Sequence, residues 1–227
     1  MKYLQRLAKF IDNNDEQQNK DYYNVVIQRL EANTKKVDRI SLYMVIVIIG
    51  YYMCDVQAIE EINIGPFALN NMNIIKITAP AVFSYLLFQY LLIGQNIGEL
   101  TFAVKLLFAI IYKTNLNRDE LMNSAVVNPI TKNILPFSLW TILTNMEYGK
   151  LGSTLLSLSW ILVIGFPFYF LYNSFKYCYC FEGLGKLRVA SLIIAGWFTL
   201  CALYMIGILF ITVAKYIKGE YKYYSER

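Results

Sequence analysis

The stretch Ile77–Gly98 (ITAPAVFSYLLFQYLLIGQNIG) decides the fold class of this chain. It runs for 22 residues without a charged side chain. As a helix that rises about 1.5 Å per residue, it is long enough to cross a hydrocarbon layer about 30 Å thick. Its polar side chains recur at helical spacing and share one face, which we call the polar stripe: Thr78, Tyr85, Gln89 and Asn96.

The polar stripe must face protein or water, because hydrocarbon offers no hydrogen-bonding partner. Two interpretations follow from the residues alone. The stripe can bond to neighbouring helices and hold a bundle together, which is the commoner arrangement in membrane proteins. Alternatively, it can line a water-filled path. The sequence leaves both open.

Composition places the whole chain in the membrane class. Its 227 residues are 57% hydrophobic and only 16% charged, whereas a soluble domain is about 25% charged. The chain has no histidine, which excludes Ser-His and Cys-His catalysis and histidine metal sites. No motif for metal, phosphate or cofactor binding is present. We therefore expect no catalytic residue, no metal site and no cofactor, and predict that the protein is not an enzyme.

Four uncharged runs predict an all-α polytopic membrane protein with four transmembrane helices. The first hairpin covers 39–98, with spans at about 40–58 and 77–98, and the second covers 151–214, with spans at about 151–175 and 189–214. The remaining parts are a cytoplasmic N-terminal helical segment at 1–38, an external loop at 55–76, a cytoplasmic or interfacial platform of short helices at 99–150, and a cytoplasmic tail at 215–227.

Local signals refine these boundaries. Neither Pro nor Gly occurs between Asp21 and Ile49, so we expect one helix to run from the N-terminal segment into the first span. Gly94 and Gly98 predict that the second span loosens there. The following run, Leu100–Tyr112, is too short to cross a bilayer and is expected to form a separate interfacial helix. In the external loop, residues 62–64 and 67–69 alternate around Gly65-Pro66, as in a small β-hairpin.

Small residues and cysteines give the remaining candidate sites. Small side chains at helical spacing let another helix approach closely, and two such faces occur: Gly149, Ser153 and Ser157 in the third span, and Ser191, Ala195, Thr199 and Ala202 in the fourth. In the predicted topology Cys54, Cys178 and Cys180 lie on the external side. A disulfide from Cys54 to Cys178 or Cys180 is one interpretation, and small hydrophobic filler is the other.

The distribution of basic residues predicts the orientation. The N-terminal segment and the adjoining Arg39 together carry eight Lys and Arg residues, the platform five and the tail four, whereas the two opposite loops carry one and three. Positively charged segments stay in the cytoplasm, so both termini are expected there. Frequent Ile, Asn, Lys and Tyr indicate an AT-rich bacterial genome, so we expect the bacterial inner membrane. The uncharged spans argue against ion-coupled transport and voltage sensing.

The architecture resembles the small four-span membrane proteins of bacterial antiphage systems. The shared features are the four spans, a cytoplasmic helix that runs into Ile40–Cys54, and the platform Glu99–Lys150. Such proteins include membrane subunits of Kiwa-type defence and membrane accessories of RNA-targeting CRISPR systems. The resemblance implies a role in antiviral defence and assigns no individual residue.

Two functional hypotheses follow. The first is a homo-oligomer that senses or perturbs the lipid bilayer, with a pore lined by the second span. The second is a non-catalytic scaffold that binds a cytosolic protein through residues 1–38 and 99–150. Neither hypothesis involves direct nucleic-acid binding.

The orientation gives a direct prediction. Reporter fusions at Arg227 and at Asn70 should report opposite compartments, with the C-terminal fusion in the cytoplasm. Alkaline phosphatase activity from the Arg227 fusion would contradict the predicted orientation.

Overall fold

The computed structural model describes residues 10–11, 13–55, 62–64, 67–69, 72–111 and 150–217. The elements in chain order are helix α1 (Glu16–Asp55), strands β1 (Ile62–Ile64) and β2 (Phe67–Leu69), and helices α2 (Met72–Ile111), α3 (Lys150–Cys180) and α4 (Gly185–Ile217). Most of the predicted platform, including Gly149, and most of the predicted tail lie outside the described residues.

Helix α1 is a single helix of 40 residues, as the uninterrupted pattern predicted. A reciprocal capping box starts it. The Asp15 side chain accepts from the Gln18 backbone N–H at 2.8 Å, and the Gln18 side chain accepts from the Asp15 N–H at 3.2 Å. Its buried apolar side chains recur every four or seven residues and form one face: Val26, Leu30, Val37, Met44 and Tyr51.

Helix α2 corrects the expected break at Gly94 and Gly98. It continues through both glycines as one helix of 40 residues, about 60 Å long. A glycine inside a helix costs only about 1 kcal/mol relative to alanine. Burial of the following segment offsets that cost, because most of its side chains are shielded from solvent: Thr101, Ala103, Val104, Leu106, Leu107 and Phe108. The residues expected to form a separate interfacial helix therefore continue α2 as far as Ile111.

Strands β1 and β2 lie between the first two helices. They pair antiparallel, with Ile62 opposite Leu69, Asn63 opposite Ala68 and Ile64 opposite Phe67. These six residues are the ones that the sequence predicted to form a small β-hairpin around Gly65-Pro66.

Helices α3 and α4 are joined by only four residues, 181–184. Helix α3 extends beyond Phe175, the predicted end of its span, to Cys180, and Cys178 in this extension is fully buried. In the connection, a Cβ atom at Gly183 would lie 2.6 Å from a ring carbon of Phe181, so any larger residue there would displace that ring. Leu184 follows with φ at 52°, a left-handed conformation that turns the chain into α4.

Three helices in the described part of the chain are long and apolar enough to cross a membrane: α1, α2 and α4. Their outward faces carry large apolar side chains. Leu42, Ile46 and Ile49 on α1, and Ile193, Trp197 and Leu200 on α4, are each more than half exposed. So much exposed apolar surface is what a bilayer would cover.

The chain divides into two compact units. The first comprises residues 1–38, 93–147 and 210–227. Among its described residues, Val26, Leu30 and Val37 of α1 are buried, as are Ile97, Val104 and Leu107 of α2.

The second unit comprises residues 39–92 and 148–209. Aromatic rings from three helices form the centre of its core. The Phe170 ring of α3 lies 4.6 Å from Phe83 of α2 and 5.2 Å from Tyr51 of α1, measured between centroids. Smaller side chains complete this core: Met44, Ala79, Leu87, Leu171 and Ala202.

Truncating the central ring should destabilise the second unit strongly. Phe170→Ala removes a fully buried aromatic side chain, and we expect a loss of about 3 kcal/mol in unfolding free energy. The measurement is reversible denaturation in mixed detergent micelles. Tyr172→Ala on the same helix removes a ring that is 65% exposed and serves as the matched control. Equal losses from the two substitutions would contradict this assignment of the core.

Candidate functional site

Pro80 opens a polar notch in helix α2. Proline has no backbone N–H, so it cannot donate the helical hydrogen bond to the carbonyl of Lys76, four residues earlier. Its ring also presses against that carbonyl and widens the turn. Pro80 is fully buried. The donor that it lacks is the one to the Lys76 carbonyl, whereas the helical partner of the next carbonyl, that of Ile77, is the N–H of Ala81.

Side chains of α3 and α4 bond to backbone carbonyls in this turn of α2. The Ser191 hydroxyl of α4 donates to the Ile77 carbonyl at 2.6 Å. The Cys178 thiol of α3 donates to the same carbonyl, with an S···O distance of 3.4 Å, and its sulfur lies 4.0 Å from the Lys76 carbonyl oxygen. We call this arrangement of Lys76, Ile77, Pro80, Cys178 and Ser191 the Pro80 notch. It joins three helices through backbone groups of α2.

Lys76 also has a side-chain environment of its own, which we call the Lys76 cluster. Its ammonium lies 3.7 Å from the ring centroid of Tyr177 on α3 and 5.4 Å from that of Tyr51 on α1. These distances fall in the range of cation–π attraction. The Tyr177 hydroxyl donates to the Asn73 side-chain oxygen at 2.9 Å. Lys76 is only 6% exposed, so its charge lies inside the protein.

The Lys76 cluster was not predicted. The sequence analysis placed Lys76 in the external loop, whereas it belongs to α2 and is buried there. One signal was available in the printed sequence: Lys76 stands four residues before Pro80, which is the position whose carbonyl a helical proline releases.

The four cysteines form no disulfide with one another, so the structure does not show the disulfide that was one of the two interpretations of Cys54, Cys178 and Cys180. All four cysteines lie in the described part of the chain, and all are unpaired with one another. The Cys54 sulfur lies 3.9 Å from that of Met72, and the Cys178 thiol donates to the Ile77 carbonyl in the Pro80 notch. Cys180 is exposed. Burial raises the pKa of the Cys178 thiol, while the nearby charge of Arg188 acts in the opposite direction. A neutral thiol is the form that donates a hydrogen bond.

The polar stripe lies on the opposite side of α2 from the core. At 100° per residue, Tyr85 and Gln89 are about 180° around the helix from Phe83 and Leu87, which are buried. Tyr85 is 45% exposed and Asn96 is also exposed, whereas Gln89 is half-buried. The Tyr85 ring packs edge-on against Phe198 of α4, at 5.2 Å.

Thr78 differs from the rest of the polar stripe. Its hydroxyl donates back to the carbonyls of Ile74, at 2.9 Å, and Ile75, at 3.2 Å. Such bonds satisfy a hydroxyl inside its own helix and bend that helix slightly.

The small-residue face of α4 packs within the chain. Ser191, Ala195 and Ala202 are buried, and Ser191 contacts α2 through the notch. The Thr199 hydroxyl oxygen is buried and has no hydrogen-bond partner among the described residues. Ser153 and Ser157 belong to α3, in the part of that helix whose side chains are not described.

The Lys76 cluster allows its two interactions to be separated. Tyr177→Phe removes the hydrogen bond to Asn73 but keeps the ring, and we expect a loss of about 1 kcal/mol in unfolding free energy. Tyr177→Leu also removes the cation–π contact and should cost about 1 kcal/mol more. Denaturation in detergent measures both. Tyr179→Leu, at a position that is 80% exposed, should change little. Indistinguishable losses from Phe and Leu at position 177 would exclude a contribution from the cation–π contact.

Comparisons with protein-family models, with curated proteins and with solved structures find no match to this chain. Functional inference therefore depends on the chemistry of the Pro80 notch, the Lys76 cluster and the polar stripe.

Proposed function

We propose that this chain is a four-span protein of the bacterial inner membrane that assembles into a homo-oligomer through the polar stripe and perturbs the bilayer. The observation that carries this proposal is the position of the stripe. Tyr85 and Gln89 face away from the core of the second unit, so that core does not supply their hydrogen-bonding partners, and Asn96 in the first unit is exposed. A second copy of the chain, or water enclosed by several copies, supplies the missing partners.

The short connection between α3 and α4 supports the four-span arrangement. Only four residues separate the two helices, so an α4 that crosses the membrane brings the C-terminal end of α3 to the same membrane surface, as in a transmembrane hairpin. The uncharged run Leu151–Phe175 lies within α3 and has the length of a span. Together with α1 and α2, helices α3 and α4 would make four crossings, an even number that leaves both termini on the same side of the membrane. The excess of Lys and Arg in the N-terminal segment and tail supports cytoplasmic termini.

The polar stripe can act in the oligomer in two ways. If Gln89 bonds to the same residue of another copy, the stripe is the contact surface between the copies. If the stripes surround water, they line a pore that conducts ions or small solutes. The architectural resemblance to membrane proteins of antiphage systems makes infection by a phage the setting that we propose for either form.

A scaffold that holds a cytosolic protein is the second candidate. The first unit supports it, because α1 continues for more than 20 residues before the apolar run that begins at Ile40. Glu31 and Lys35 form an exposed ion pair at 2.6 Å on this segment, while Val26, Leu30 and Val37 are buried. A folded segment with an exposed charged face can present a binding surface outside the bilayer.

Gln89→Leu distinguishes the two forms of the first candidate. If the amide joins copies, the substitution should weaken assembly by about 0.6–2 kcal/mol, measured as the monomer–oligomer equilibrium in detergent. If the amide lines a pore, assembly should persist while dye release from liposomes falls, because an apolar lining expels water. Tyr204→Leu on α4, which removes a hydroxyl from a position that is 70% exposed, is the matched control.

The same measurements can overturn the proposal. A wild-type chain that stays monomeric and releases no dye would exclude both forms of the first candidate. A protein partner that is captured through residues 16–38 would then support the scaffold.

A further inference from the structure

We propose that the pore lined by the polar stripe conducts cations, and that Glu99 sets this selectivity as a ring of carboxylates at one end of the pore. This inference rests on the proposed function and deepens it, because it names the class of solute that passes. The four side chains of the polar stripe carry no charge, so they alone do not exclude ions of either sign.

Glu99 is the only charged residue between Lys76 and Lys105 in the sequence. It directly follows Gly98, the last residue of the uncharged run that begins at Ile77. A helix as long as that run measures about 33 Å, close to the thickness of the hydrocarbon layer. In the proposed membrane arrangement, the Glu99 carboxylate therefore lies where the hydrocarbon ends, and an ion meets it on entering or leaving the pore.

Glu99 lies on the same side of α2 as the polar stripe. At 100° per residue, it is about 40° around the helix from Tyr85, and Asn96 is about 20° from Tyr85 in the other direction. Glu99 and Asn96 are both exposed. The Glu99 carboxylate accepts from the Gln95 side-chain nitrogen at 3.5 Å, and neither ion pair among the described residues involves it. Its negative charge is therefore not neutralised by a cationic side chain of that part of the chain.

The two lysines that flank this stretch lie on the opposite side of α2. Lys76 and Lys105 are about 180° and 160° around the helix from Tyr85. Lys76 is buried and Lys105 is half-buried. On the side that carries the polar stripe, α2 therefore presents only negative charge between these two positions.

The exposed part of this side of α2 ends at Glu99. Ala103 and Leu107 follow on the same side, nearly in line with Tyr85 and about 40° from it, and both are fully buried. Beyond Glu99 this side is thus packed within the protein and cannot line a water-filled path. Glu99 is the last exposed side chain of the path, which is where the mouth of a pore lies.

A ring of carboxylates selects ions by their charge. Each copy in the oligomer contributes one Glu99, and such acidic rings are a common source of cation selectivity in channels. Their combined field attracts cations and repels anions, and the low dielectric of the surrounding walls strengthens that field. The neutral amides and hydroxyls of the polar stripe bind a passing cation weakly enough to release it.

Ion selectivity in planar bilayers tests this inference on the full-length protein. Under a gradient of KCl, the wild type should be more permeable to K⁺ than to Cl⁻ by about fivefold or more. Glu99→Gln keeps the size of the side chain and removes its charge, and should lower this ratio to about twofold or less. Glu99→Lys should invert the preference, because a ring of cations attracts anions.

Glu31→Gln is the matched control. Glu31 is an exposed carboxylate that pairs with Lys35 on α1, and the predicted orientation places it on the same side of the membrane as Glu99. Its removal should leave the permeability ratio unchanged. An equal fall in Glu31→Gln and Glu99→Gln would show that general surface charge sets the ratio, and would overturn the role of Glu99.

The remaining outcomes separate this inference from the proposed function. A conducting wild type that prefers Cl⁻, or a ratio that is the same in Glu99→Gln, would overturn the inference and leave the pore. A wild type that assembles but passes no current would also overturn it, and would leave the polar stripe as a contact surface between copies. A wild type that neither assembles nor passes current would exclude the first candidate function together with this inference.

Discussion

The hydrogen bonds that Ser191 and Cys178 make to the Ile77 carbonyl are the interaction on which the second unit depends. All three groups are buried, where a polar group without a partner costs several kcal/mol. These bonds therefore fix where α3 and α4 lie along α2. Phe83 and Phe170 meet one to two turns further along α2. One backbone carbonyl thus helps to set the register of three helices.

Much of the fold was predictable from the runs without charged residues and from the spacing of apolar, proline and glycine residues along the chain. The continuity of α1 follows from the absence of Pro and Gly before Gly50, and the three apolar helices follow from their uncharged runs. The expected break at Gly94 and Gly98 was wrong because glycine weakens a helix only slightly. Burial at Val104 and Leu107 outweighs that weakness. The helix propensity of individual residues does not predict which side chains the following segment packs against.

The candidate site was predictable only in part. The spacing of the polar stripe follows from the sequence, but its direction relative to the core does not, because both faces of α2 contain large apolar residues. The burial of Lys76 depends on Tyr51 and Tyr177, which are 25 and 101 residues away in the sequence. No local pattern connects them. The sequence left the role of Cys178 open for a similar reason, since its thiol bonds to the Ile77 carbonyl, 101 residues earlier in the chain.

The Lys76 cluster has a consequence for the conditions under which the protein works. Dissolved salt weakens attractions between charges that water can reach, over a distance of about 8 Å at physiological ionic strength. The Lys76 ammonium lies between tyrosine rings and is almost inaccessible to water, so ions in the medium screen it little. The attachment of α2 to α1 and α3 at this point is therefore insensitive to changes in the ionic strength of the surrounding medium.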